Sequence, residues 1–252
     1  MRTRTLLLLG AILPGLSTSL SAAAIFGTFD MTGYVTVTAT TMTFSSDTTT
    51  PMTPNVFTLA AGTGSFAAED GNNTIQNLNI ATEPVGTSFA NTQFIVFDQT
   101  PGLPDLDLNF IAEGQGGSAG CSEAPAATTP PQSCTPPNPG GSPFTFTNYS
   151  NPAPPPPTVS GATWVVSGMT SDGLSTWTAT FTSQFNEPFQ DVLSAFAPGG
   201  SGSVGNTFSA TATVTVTPIQ SAVPEPASGF TTALGGGLVL VSLTLRKFRR
   251  SA

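Results

Sequence analysis

Few side chains in this sequence could do chemistry, and most of those are carboxylates. The run "PDLDLNF" places Asp105, Asp107 and Asn109 at every second position, with Glu113 shortly after. Oxygen ligands on one strand face could hold a hard cation such as Ca²⁺. The run lacks the Gly-containing pattern of an EF-hand loop. Period two also accounts for every residue in it as the wet face of a half-buried strand, which is the preferred reading. Glu69 and Asp70 adjoin "GNN", and Glu187 and Asp191 flank "PFQ". Paired carboxylates can hydrolyse glycosides when their spacing in space is right. Acids beside turns are ordinary, so this is a weak signal. The two cysteines, Cys121 and Cys134, complete the reactive inventory.

The charge distribution excludes more than it offers. The chain has six Lys and Arg, 14 Asp and Glu, and no His. All six cations, Arg2, Arg4, Arg246, Lys247, Arg249 and Arg250, lie at the two ends. Nothing between them can neutralise a phosphate backbone, so nucleic acid is not an expected partner. A P-loop lacks its Lys, and a Ser, Thr or Cys nucleophile lacks a His or Lys base. The body is read as non-catalytic, with no cofactor called for.

The elements that must position these residues are strands. "GYVTVTAT" sets Val35 and Val37 opposite Tyr34, Thr36 and Thr38. "STWTATFTSQF" sets Trp177, Ala179, Phe181 and Phe185 on one face and four threonines on the other. "SATATVTVTP" turns Ala212, Val214 and Val216 inward. Shorter runs, "TQFIVFD", "DLDLNFIA" and "PFTFTN", behave alike. Alternating β-branched and aromatic residues suit a pleated, half-buried surface. Turn signals at "EDGNN", "TPGLP", "SDG" and "APGGSGS" separate them. The pattern predicts an all-β domain over residues 25–222, an antiparallel sandwich resembling a jelly roll, with no helix of ten or more residues.

Residues 114–157 interrupt this domain with Gly, Ser and Pro, including "APAATTPPQSCTPPNPGG" and "NPAPPPP". They read as a decorating surface loop within one domain. Both cysteines lie there, and in an oxidising compartment a Cys121–Cys134 disulfide is the natural reading. Trp164 and Trp177 read as core; Tyr149, and less so Tyr34, could stack on a sugar ring. Thr-rich "SSDTTTPMTP" resembles an O-glycosylated segment, and Asn72 and Asn148 head weak N-glycan patterns.

The ends are addresses. "MRTRTLLLLGAILPGLSTSLSAAA" has a positive start, an apolar run over residues 6–16, and small residues at Ala22 and Ala24. Residues 1–24 read as a signal peptide cut after Ala24 by signal peptidase. The C-terminal residues 223–252 carry Pro224-Glu225-Pro226, an uncharged span at about 227–245, and a basic tail at 246–250. As a helix the span approaches the ~30 Å hydrocarbon thickness. The cations after it would stay cytoplasmic, leaving the body outside.

These three parts, in this order and paired with a signal peptide, resemble the PEP-CTERM sorting signal of Gram-negative bacteria. The resemblance implies recognition by an exosortase, a membrane-embedded cysteine protease or transpeptidase, and processing near Pro224-Glu225-Pro226. It also implies association with exopolysaccharide and biofilm. "FGTFDMTGYVTVT", "GTGSF", "SPFTFTN", "WTATFTSQF" and "SATATVTVTP" are similar, diffusely, to β-rich passengers carried ahead of such tails. The expected protein is therefore an inner-membrane-tethered precursor that becomes a cell-surface or matrix structural protein. The alternatives are a glycan-binding adhesin, Ca²⁺-dependent or not, and a carboxylate-based polysaccharide hydrolase.

Overall fold

The computed structural model describes residues 23–46, 52–126, 130–150 and 158–217. Their strands are β1 (Gly27–Thr38), β2 (Thr41–Ser45), β3 (Val56–Ala60), β4 (Gly71–Ile75), β5 (Leu78–Asn79) and β6 (Thr92–Val96). There follow β7 (Leu106–Ile111), β8 (Ser133–Cys134), β9 (Thr145–Ser150), β10 (Thr158–Thr170), β11 (Ser175–Phe185) and β12 (Ser203–Val216). One six-residue helix, α1 (Phe189–Ser194), lies between β11 and β12.

The fold is mostly β with antiparallel pairing, as the alternation predicts. The expected two-sheet sandwich is replaced by one sheet that closes on itself. Neighbours run β11, β12, β1, β3, β4, β6, β7, β10, and β10 then pairs with β11 to close eight strands into a barrel. Closure needs strands that bend. The β10–β7 ladder shifts register between Ser167 and Gly168, and the β6–β7 ladder between Gln93 and Ile95. Such bulges sharpen twist and curvature. At the first, a β-carbon on Gly168 would run into the main-chain oxygen of Asp107, so only Gly permits this close approach.

Two long strands give the barrel its distinctive end. β1 pairs β12 along its whole length, from Gly27↔Val214 to Thr38↔Ser203. Its other edge divides: Asp30, Met31 and Thr32 pair with β3, whereas Tyr34 to Val37 pair with β2. β10 divides likewise, pairing β7 near its C-terminal end and β9 through Thr158 to Thr163. At one pole the wall is continuous. At the other, two flaps, β2–β5 and β9–β8, splay from it. The outermost strands of the flaps have two residues each, which leaves little unpaired edge for another chain to extend.

The interior follows the period-two pattern. Trp177, Ala179, Phe181, Ala210, Ala212 and Val214 are buried while the intervening threonines face out. Phe29, Phe66 and Phe97 pack together toward the continuous pole, with ring centroids 4.7–5.5 Å apart. Val216 has the inward parity but lies at the strand end and is exposed, contrary to expectation.

Residues 114–157 are more than surface decoration. They supply β8 and β9, and Cys134 and Phe146 are buried with Ala162, Phe189 and Val192 in a second apolar cluster. The expected disulfide joins Cys121 to Cys134. Among the described residues no helix is long and apolar enough to cross a membrane. The span at 227–245, Pro224, Glu225, Pro226, the basic residues 246–250, Ala22 and the Thr-rich segment around 47–51 all lie outside the described residues.

Candidate functional site

The predicted carboxylates do not converge. Asp107 and Asn109 lie on the outward positions of β7, as period two requires. Asp105 precedes the strand and accepts a bond from Gln93 Nε2 at 2.7 Å; Asn109 Nδ2 donates to Asn91 Oδ1 at 3.1 Å. Partial burial pushes the Asp107 carboxyl above its ordinary value, and the nearby Asp105 charge adds to the rise. Among the described residues no three of His, Cys, Asp or Glu are grouped to hold a metal ion.

Of the two acid pairs, Glu69 and Asp70 differ in burial. Glu69 is buried with neither carboxylate oxygen hydrogen-bonded, whereas Asp70 is exposed and accepts the Gly71 N–H at 2.9 Å. Glu187 and Asp191 are both exposed at the entry to α1. Asn148 is buried, and its side chain bonds Gln132, Gln190 and the Phe189 N–H. That use in the fold leaves it unavailable as a glycan acceptor once folded. Tyr149 is exposed on β9, with its ring edge over Gly161.

The site that geometry does build is a recess of about 680 Å³ between the flaps. Three elements wall it. The first is the end of β1 and the start of β2, with Val35, Val37 and Met42. The second is the Pro136–Pro139 stretch leading to Phe144 and Phe146, clipped by the disulfide. The third is α1 and its exit, with Val192, Leu193 and Phe196. Trp164 forms part of the floor, stacked on Phe181 at 5.0 Å and 15°, with Phe144 edge-on at 5.5 Å. Asn138 anchors the proline stretch by donating to the Ala39 main-chain oxygen at 2.9 Å.

The wall contains no charged residue. Its one buried side-chain polar atom without a partner is Trp164 Nε1. The sequence pattern places Trp164 in the core, and it is buried, but the pattern does not disclose the recess. One signal was present: Phe189, Val192, Leu193 and Phe196 stand at i, i+3, i+4 and i+7, the stripe of an amphipathic helix. The segment is too short to satisfy a ten-residue criterion, and so passes as a loop.

The chain matches no family model, no curated protein and no solved structure.

Proposed function

We propose that this chain is an exported, non-catalytic surface or matrix protein whose C-terminal tail is the substrate of an exosortase-type enzyme. Signal peptidase acts at Ala24, and the sorting step acts near Pro224-Glu225-Pro226. Exopolysaccharide is the expected surrounding.

The observation that carries this reading is the tail itself: motif, apolar span and basic cluster in order, set against a positive-then-apolar N-terminus. The fold is compatible with cutting at both places. β1 opens at Gly27, just after Ala24, and β12 closes at Val216, just before Pro224. Neither cut would remove a strand of the described residues. Gly27 pairs with Val214, so both ends leave the barrel side by side.

The test is the intact mass of the protein from the envelope and the medium of its host. A mass running from Ile25 to near Pro226 supports the reading. A mass that retains residues 227–252, found only in the membrane, overturns it.

A second reading, a glycan-binding adhesin, is favoured by Tyr149, an exposed aromatic ring beside the buried Asn148 network. It requires saturable retention on host exopolysaccharide that Tyr149→Ala removes.

A further inference from the structure

We propose that the recess between the flaps binds an uncharged lipophile carrying a hydrogen-bond-accepting oxygen, with a fatty acyl ester as the type case. This inference does not depend on the sorting reading.

Size comes first. Sites for small organic molecules span roughly 300–1,000 Å³ and are mostly apolar with a few placed polar groups. The recess holds about 680 Å³. Its wall is mostly hydrocarbon and aromatic, as at Val37, Met42, Phe146, Leu193 and Phe196, with uncharged Ser, Thr and Asn side chains among them. A surface of that kind is costly to leave facing water, and Phe196 at the rim remains 37% exposed.

Polarity then narrows the ligand. Trp164 is buried, yet its Nε1–H has no acceptor. The other tryptophan, Trp177, has its N–H satisfied twice. A buried donor without a partner is disfavoured; Nε1 is covered by its neighbours in the fold, so a ligand oxygen would supply the missing acceptor on a small shift of the floor around Trp164.

Charge narrows it further. The chain has no Lys, Arg or His between residues 5 and 245, so a carboxylate or phosphate head group would enter without a counter-charge. The acids of the body add repulsion. A neutral ester keeps the acceptor oxygen and avoids that cost. Free fatty acids and phospholipids are therefore disfavoured relative to esters.

Placement makes the site usable from outside. The recess lies at the Thr38↔Ser203 end of the β1–β12 ladder, and the chain ends leave at the Gly27↔Val214 end. Twelve strand positions separate these by about 36 Å. A protein tethered through residues beyond Thr217 would present the recess at the pole remote from its tether.

The test uses the full-length chain in phospholipid nanodiscs, photolabelled with a diazirine-bearing methyl laurate, the corresponding free acid at pH 8, and the corresponding alkane. Peptides are then mapped by mass spectrometry. Saturable labelling by the ester within residues 35–42, 136–146 and 192–206, displaced by unlabelled methyl laurate, is the expected result. The acid should label these peptides at least about tenfold less. Val37→Trp should fill the recess and abolish labelling while the thermal midpoint is kept; if near-UV dichroism shows that variant unfolded, Val204→Trp replaces it. Trp164→Phe should weaken ester labelling severalfold and leave alkane labelling unchanged.

Equal labelling by acid and ester overturns the proposal, as does labelling confined to residues 227–245. So does labelling that the filled variant does not change. Crosslinks from photo-leucine in residues 236–245 to the recess peptides would make the chain's own tail the occupant, and would also overturn it.

Discussion

Trp177 donates its indole N–H to two main-chain oxygens, that of Asp107 at 2.9 Å and that of Met169 at 3.2 Å. Both acceptors flank the bulge between Ser167 and Gly168, where the β10–β7 ladder slips. A bulge leaves main-chain groups without ladder partners. Here one inward-pointing side chain bonds two main-chain oxygens beside it and stacks on Phe94 at 5.9 Å. Trp164 is equally buried and makes no such bond. The two indoles thus differ in what their N–H does, and substitution should separate them. Trp177→Phe keeps a ring but removes both hydrogen bonds, at a cost of about 1–3 kcal/mol. Trp164→Phe removes a donor that has no partner, so only the smaller ring counts against it and the cost is lower. Urea unfolding of both variants checks this; equal losses would mean that the bond to the bulge contributes nothing.

Gly168 is the backbone side of the same device. A β-carbon there would meet the Asp107 main-chain oxygen well inside contact distance, and the neighbour is backbone that cannot swing away. Gly168→Ala should therefore destabilise by about 1–3 kcal/mol, as overpacking does. Gly173, in the β10–β11 turn, has open space around its β-carbon position but a φ of +72°. Gly173→Ala should cost about 1–2 kcal/mol through the left-handed conformation alone. Structures of the two variants distinguish the causes. Gly168→Ala should displace β7 from β10, whereas Gly173→Ala should leave the ladder in place.

Asp107 gives a pH dependence whose sign is fixed. Burial, with Asp105 assisting, holds its carboxyl above the ordinary value of 3.8. A carboxyl raised in the folded state binds its proton more tightly there than in the unfolded chain. Its relative stabilisation is complete below pH 3.8 and is lost as pH rises through the raised folded value. Asp107→Asn removes the penalty on the charged form. The variant should melt at a higher temperature than the parent at pH 7, and the advantage should vanish below pH 3.8. A constant difference across that range would assign the effect to something other than ionisation.

How far the sequence discloses this molecule depends on the range of the interactions. Period two is local, and it correctly assigns the buried faces of β11 and most of β12, because the residue pattern and the pleat share one repeat. Closure is not local. Whether β10 meets β11 alone or also completes a ring depends on curvature at Gly168 and between Gln93 and Ile95; a Gly inside a strand run signals a bulge but not ring closure, and nothing marks the second position. The disulfide was legible because compartment and spacing both pointed to it. The recess was not, because its walls come from β1, the proline stretch and α1, which are distant in sequence. The fate of the acid pair was not legible either: Glu69 and Asp70 are adjacent in sequence, yet a turn sends one inward and the other out.

The Cys121–Cys134 bridge should govern the local opening of one flap. It spans 13 positions, and cross-linking a loop of that length constrains the unfolded chain by about 3 kcal/mol in the chain-entropy picture. In the folded state Cys134 is fully buried with Phe146, Phe189 and Val192, so the bridge fastens the wall of the recess to a packed cluster. Nearby main-chain donors depend on that arrangement: Gly116 N–H bonds Thr135 Oγ1 at 2.8 Å, and Gln115 N–H bonds Thr145 Oγ1 at 2.8 Å. The β11–β12 ladder does not touch it and runs through eight paired positions. In the double variant Cys121→Ser/Cys134→Ser, amide exchange at Gln115, Gly116 and Thr135 should accelerate at least about tenfold through local opening and should outrun exchange at the β11–β12 amides, which report global unfolding. Equal exchange rates in the flap and in β11–β12 would show instead that the flap has no independent opening.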